Sequence, residues 1–265
     1  MNNKLTAFLL IGAAVLTNIA FTALGSVFNY PDVLNQPVDE VLTKFRDSQG
    51  TVATWFLVLA ISAALLAPIA IGVGRLASNR TMRIAVPIGI AAAAVQVIGL
   101  LRWPILVPGY AADANSANAG TARSAKDSFA TANDVLGTII GETLGYILTA
   151  AWTLLVIAAL GRRYAGRWFQ ILGAVSAALV LLGVLSPLEL PVIDTANFAG
   201  YILWSIWLIS LGVLILRHDR RHVTSTARVD ATATTCSGDI GTSPNQSHPT
   251  RSDREGLSDR LCKRS

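Results

Sequence analysis

Six apolar stretches, roughly Leu5–Phe28, Thr51–Gly74, Ile84–Leu101, Val135–Leu160, Trp168–Leu185 and Phe198–Leu216, are joined by links whose arginine content alternates. Each stretch is near the ~20 residues that a helix rising about 1.5 Å per residue needs to cross hydrocarbon. The expectation is an all-α protein, a six-helix transmembrane bundle.

The second and fourth links carry Arg75, Arg80 and Arg83, then Arg162, Arg163 and Arg167, and Arg217, Arg220 and Arg221 follow the last stretch. By the positive-inside rule these sides are cytoplasmic, which puts both termini inside. The other links hold Asp32, Asp39, Glu40 and Asp47 beside Lys44 and Arg46, then Asp113, Asp127 and Asp134 beside Arg123 and Lys126, then Glu189 and Asp194. They face outward. Lys4 ahead of the first stretch and Ala23, Gly25 and Ser26 near its end resemble a signal peptide. The apolar run exceeds the usual 7–15 residues of a signal core, so it is read as a retained span.

Only 14% of residues are charged and 52% are hydrophobic, which leaves no room for a separate soluble domain. The net charge of +5 gathers at the arginine-rich links and the tail, where it meets anionic headgroups; nucleic acid is not an expected partner. From about His222 the chain loses apolar periodicity, so 217–265 reads as a basic juxtamembrane segment and a disordered cytoplasmic tail. His218 and His222 stand one helical turn apart inside Arg217-His-Asp-Arg-Arg-His, a basic cluster at the membrane surface and not a metal pair. Cys236 and Cys262 lie in the same tail without metal-like spacing. No metal or other cofactor is expected.

The link from Arg102 to Asp134 opens with Trp103-Pro104 and Pro108-Gly109, read as turns. Ser124 is a candidate serine cap for a helix that Phe129, Ala132 and Leu136 would carry into the fourth span, which would then project above the membrane. Pro68 is expected to kink the second span.

Glu142 is the one acidic residue inside an apolar stretch. About 18 residues separate it from Leu160, roughly 27 Å, which sets it near the outer interface of a ~30 Å core. A carboxylate there faces the bundle interior or water. Helical spacing aligns Thr138, Glu142, Tyr146, Thr149 and Thr153, and on the neighbouring stripe Gly137, Gly141 and Gly145. Glycines every four residues form a packing seam for another helix, within the chain or in a dimer. Asn18, Gln96 and Arg102 share the outer depth of Glu142, while the inner halves hold little polar beyond Thr153 and Ser210. These positions imply an outward polar pocket above an apolar floor, with Arg102 and Glu142 as an ion pair.

Gly141-Glu-Thr-Leu-Gly145-Tyr146-Ile-Leu-Thr-Ala-Ala-Trp152, together with Arg102-Trp-Pro-Ile-Leu-Val-Pro108 ahead of a long outer link, resembles a bacterial family of multi-pass membrane proteins, domain of unknown function 4386. The likeness covers about 5–216 and implies a helical membrane fold without lending an activity. Carried over residue by residue, it singles out Arg102, Glu142, Gly145, Tyr146 and Trp152.

No His or Cys precedes Arg217, so catalytic chemistry has little to work with and no catalytic residue is assigned. The expected role is binding or assembly in the bacterial plasma membrane, with Glu142, Arg102, Tyr146, Gln96 and Asn18 around a ligand. Transport of a small solute, proton or lipid ranks second, and membrane-embedded catalysis third. Expected partners are membrane lipids, a membrane protein or a second copy.

Overall fold

The computed structural model describes residues 2–188 and 190–238, with side chains omitted at 162–165, 187–188, 191 and 220–238. Among the described residues the secondary structure is all helical. The elements are α1 (Asn3–Phe28), a 3-10 turn (Asp32–Asn35), α2 (Val38–Asp47), α3 (Gln49–Ala64), α4 (Leu66–Val73), α5 (Arg80–Ile105), α6 (Val107–Asp113) and α7 (Ala119–Ala132). A π-helical segment (Asn133–Leu144), α8 (Gly145–Leu182), a second 3-10 turn (Gly183–Leu188) and α9 (Pro191–Gly238) complete them. Six helical runs are long and apolar enough to cross a membrane: Asn3–Phe28, Gln49–Val73, Arg80–Asp113, Ala119–Gly161, Gly166–Ser186 and Val192–Asp219. The protein is a multi-pass membrane protein.

Proline explains where the second span breaks and where the third does not. Pro68 has no N–H to give the carbonyl of Ala64, and α3 stops at Ala64 before α4 resumes at Leu66. Pro104, read from sequence as a turn, sits inside the last turn of α5 instead. Pro108 falls in the first turn of α6, where a missing N–H costs nothing. The long link is therefore mostly helix.

Its second helix starts earlier than the serine cap predicts. Asn118 Oδ1 accepts from the N–H groups of Gly120 and Thr121 at 2.8 and 3.2 Å, so the cap is Asn118 and not Ser124. From Ala119 the helical path runs unbroken to Gly161, 43 residues. That is well over the ~20 residues that a helix needs to cross hydrocarbon.

Between the fourth and fifth spans Gly161 and Gly166 take φ of 65° and 76° with ψ near 180°, a region that only glycine enters readily. They reverse the chain inside α8. Successive spans alternate in direction, so the chain has an arginine-rich end, with residues 74–79 and 161–166, and a cap end formed by 29–48, 106–132 and 183–188.

The interior divides the same way. At the arginine-rich end Leu10, Leu66, Ile69, Met82, Trp152 and Trp207 anchor one buried cluster, with Trp207 stacked on Phe169 at 5.2 Å. At the cap end a second cluster gathers Phe28, Val41, Phe45, Phe56, Trp103 and Phe129. Trp103 is its centre: the ring lies 4.7 Å from Phe56, 5.1 Å from Phe28, 5.9 Å from Phe45 and 6.0 Å from Phe129. Amphipathic α2 contributes Val41, Leu42 and Phe45 to this cluster and turns Asp39 outward to Lys126 of α7 at 2.6 Å. The links thus form a helical cap.

Residues 2–219 make one compact unit, and a second begins at Arg220. The backbone is helical to Gly238, while most of the expected disordered tail, 239–265, lies outside the described residues. So do the side chains of Arg162, Arg163, Arg220 and Arg221.

Candidate functional site

The fourth span is not an α-helix where the sequence pattern puts its chemistry. Residues Asn133–Leu144 are π-helical, a geometry with i→i+5 bonds that normally appears as a single bulged turn and often at functional positions. The 3.6-residue stripe that aligned Thr138 with Glu142 does not hold through this segment. Below Gly145 the α-spacing returns, and Thr149 and Thr153 are fully buried.

The glycines face α5 in register. A Cβ on Gly137 would stand 2.7 Å from Arg102 Nη2, one on Gly141 3.1 Å from Gly99 Cα, and one on Gly145 3.2 Å from Gln96 Cγ. Three glycines on the fourth span therefore meet three residues one turn apart on the third. Absent side chains let the wider π backbone lie against α5, the close approach that favours helix association in lipid.

Arg102 occupies the space above Gly137. It is 5% exposed, and its Nη1 donates to the Gly99 carbonyl at 2.6 Å and its Nη2 to Asn133 Oδ1 at 3.0 Å. Its guanidinium lies 5.3 Å from the Trp103 ring centre, and its Nε has no partner among the described residues. The expected ion pair with Glu142 is not formed. Two of its N–H groups go to a backbone carbonyl and an amide oxygen, and only a longer-range attraction links it to Glu142.

We expect Gly137→Ala to push the guanidinium off these acceptors and destabilise the protein by about 1–3 kcal/mol. Adding Arg102→Met should recover part of that loss, read as a non-additive double-mutant cycle in thermal unfolding. Additive losses would mean that Gly137 does not act through Arg102.

Glu142 is half-buried, and among the described residues its carboxylate makes no ion pair and no hydrogen bond. Its electrostatic neighbours are Arg102 and Asp194, and its charge is felt by Tyr30, Tyr146 and Tyr201. Tyr146 and Tyr201 have ring centres 5.9 Å apart, and Tyr201 reaches Thr149. Thr149 Oγ1 accepts from Gln96 Nε2 at 2.9 Å. Below it Thr153 Oγ1 donates to the Thr149 carbonyl and accepts from Trp204 Nε1, both at 2.8 Å. A ladder of neutral hydrogen bonds thus joins the third, fourth and sixth spans through Gln96, Thr149, Thr153 and Trp204.

Tyr30 follows directly after α1. Burial first, and then the charge of Glu142, push its phenol from 10.0 up to about 12, with Arg102 pulling the other way. Folding therefore favours the protonated phenol. Its stabilising contribution is complete below pH 10, is lost as pH rises toward 12, and should vanish in Tyr30→Phe. Tyrosinate absorbance against thermal stability measures this; equal alkaline loss in wild type and variant would exclude Tyr30.

Asn18 belongs elsewhere. Its Nδ2 donates to the Ala14 carbonyl at 2.7 Å and to Ser205 Oγ at 2.9 Å, tying α1 to α9. Nor is the cap end an open funnel: the Trp103 cluster fills it, because α2 and α7 bring apolar faces that the polar composition of their links concealed. An open groove of about 700 Å³ lies outside this cluster, between α6 and α7, and Glu142 does not line it. Tyr30, Asn133 and Asp194 were missed as site residues. All three sit in links or at link boundaries, where sequence periodicity carries no information about what they face. Among the described residues no group of three or more His, Cys, Asp or Glu could hold a metal ion.

No curated protein and no solved structure matches the chain. Residues 5–212 match a family described as domain of unknown function DUF4386, a span that includes the whole π segment, α5 and the Glu142 surroundings. The chain belongs to that family.

Proposed function

We propose that this protein is a binding or accessory protein of the bacterial plasma membrane, holding a small cation or a cationic headgroup at Glu142. One observation carries the reading. The carboxylate lies in a span, without an ion pair or hydrogen bond among the described residues, while Arg102 gives its two hydrogen bonds to other acceptors. Intramembrane carboxylates ordinarily have a partner or a function. Phenol oxygens of Tyr30, Tyr146 and Tyr201 would complete a shell for a cation, and their rings would favour an organic one.

The arginines at 75, 80, 83 and 167 support cytoplasmic termini and an outward cap. On this orientation Glu142 lies toward the outer side of the membrane, with Arg102 and Tyr146 as electrostatic neighbours. Membrane lipids are the immediate partners. A second copy or another membrane protein would meet the exposed apolar faces, and nucleic acid has no place.

Transport is the alternative, and the π segment favours it. Conversion of π to α turns would rotate Glu142 about the helix axis by roughly 100° per residue of register. Reconstituted liposomes separate the two. Binding alone predicts no proton or monovalent-cation flux above empty vesicles. Flux in wild type that Glu142→Gln abolishes would replace the binding role with transport.

A further inference from the structure

We propose that the groove between α6 and α7 binds a zwitterionic phospholipid through its phosphoethanolamine headgroup, at a site separate from Glu142. The groove is open along its outer side and has a volume of about 700 Å³. Its lining is ordered along the chain. Arg123, Ser124, Asp127, Ser128 and Thr131 line its upper part, and Ala132, Val135, Leu136 and Leu106 its lower part. That order follows depth. Val135 opens the fourth apolar stretch, and Ile105 and Ile139, beside the lower end, are 65% and 55% exposed as lipid-facing residues are.

Charge decides the headgroup. Arg123 and Asp127 stand four residues apart on one face of α7, both exposed. Among the described residues neither has an ion-pair partner, and the nearby Lys126 pairs with Asp39. One unpaired cation and one unpaired anion side by side match a phosphate next to a primary ammonium. The phosphate takes charge-assisted bonds from Arg123, with the Ser124 and Ser128 hydroxyls as further donors. The ammonium donates to Asp127. A quaternary ammonium has no N–H to give Asp127, and a glycerol headgroup has no cation, so both fit less well. The acyl chain leaves along Leu106, Val135 and Leu136 into hydrocarbon.

The test is native mass spectrometry of the full chain released from nanodiscs containing equal phosphatidylethanolamine, phosphatidylcholine and phosphatidylglycerol. Wild type should retain phosphatidylethanolamine over each of the others by roughly tenfold, the value of one good charge-assisted bond. Asp127→Asn should remove that preference, Arg123→Gln should lower retention of all three lipids, Arg123→Lys should restore most of it, and Glu142→Gln should leave both retention and preference unchanged. Both charged positions are exposed, and matching thermal midpoints would verify folding; Ser124→Trp, which narrows the groove without altering charge, should also reduce retention. Preference for phosphatidylglycerol, or equal retention of all three lipids by wild type and variants, would overturn the proposal.

Discussion

Replacing Trp103 with alanine is expected to cost about 3–5 kcal/mol and to loosen the cap from the membrane bundle. The ring is fully buried, and four phenylalanines from α1, α2, α3 and α7 contact it edge-on, tilted or stacked, so its loss leaves a cavity that each neighbour can fill only by leaving another. No single replacement contact restores the set. Trp103→Phe should retain most of the stability. Its indole Nε1 has no acceptor among the described residues, so the ring contributes through packing and not through a hydrogen bond. Hydrogen exchange should show the effect localised: amides of α2 and α7 lose protection in Trp103→Ala while α4 and the lower half of α8 keep theirs. Uniform loss would mean that the two buried clusters are one cooperative unit.

Gly99→Ala should be nearly as damaging although it adds one methyl. A Cβ there would sit 2.7 Å from Gly141 Cα and 2.9 Å from the Leu136 carbonyl oxygen, both backbone atoms that cannot rotate away. The third and fourth spans would have to separate along the seam that also seats Arg102 and Gln96. Overpacking of this kind costs about 1–3 kcal/mol where side chains can adjust, and the upper part of that range is expected here. Gly12→Ala is the matched control, since a Cβ at Gly12 meets nothing within 4 Å. Helix propensity alone should make that change neutral to stabilising by under about 1 kcal/mol. Thermal unfolding in detergent compares the two. Equal midpoints would remove the seam from the account.

Hydropathy located all six spans, because continuous apolar length is a property of the chain itself. The glycine stripe was legible for the same kind of reason: small residues at regular spacing state what they permit before any partner is known. Arg102 and Glu142 were legible as charges at comparable depth but not as a non-pair. That outcome depends on Gly99 O and Asn133 Oδ1, acceptors whose positions only the folded backbone defines. The π segment was invisible, since Val135 to Thr149 reads as an ordinary helix. The cap was half visible. Asn118, Phe129 and the amphipathic run of α2 are in the sequence, yet Pro104 and Pro108 read as turns while both lie within helical turns. Polar composition in the links suggested a pocket where the fold puts an aromatic plug.

The most direct test of the central claim is native mass spectrometry of the protein released gently from its own membrane, beside Glu142→Gln. Binding at Glu142 predicts a small cation or specific lipid on the wild type that the variant loses, with its phosphatidylethanolamine retention intact. Wild type and variant emerging with identical bound species, or equally bare, would contradict it and leave Glu142 a structural residue.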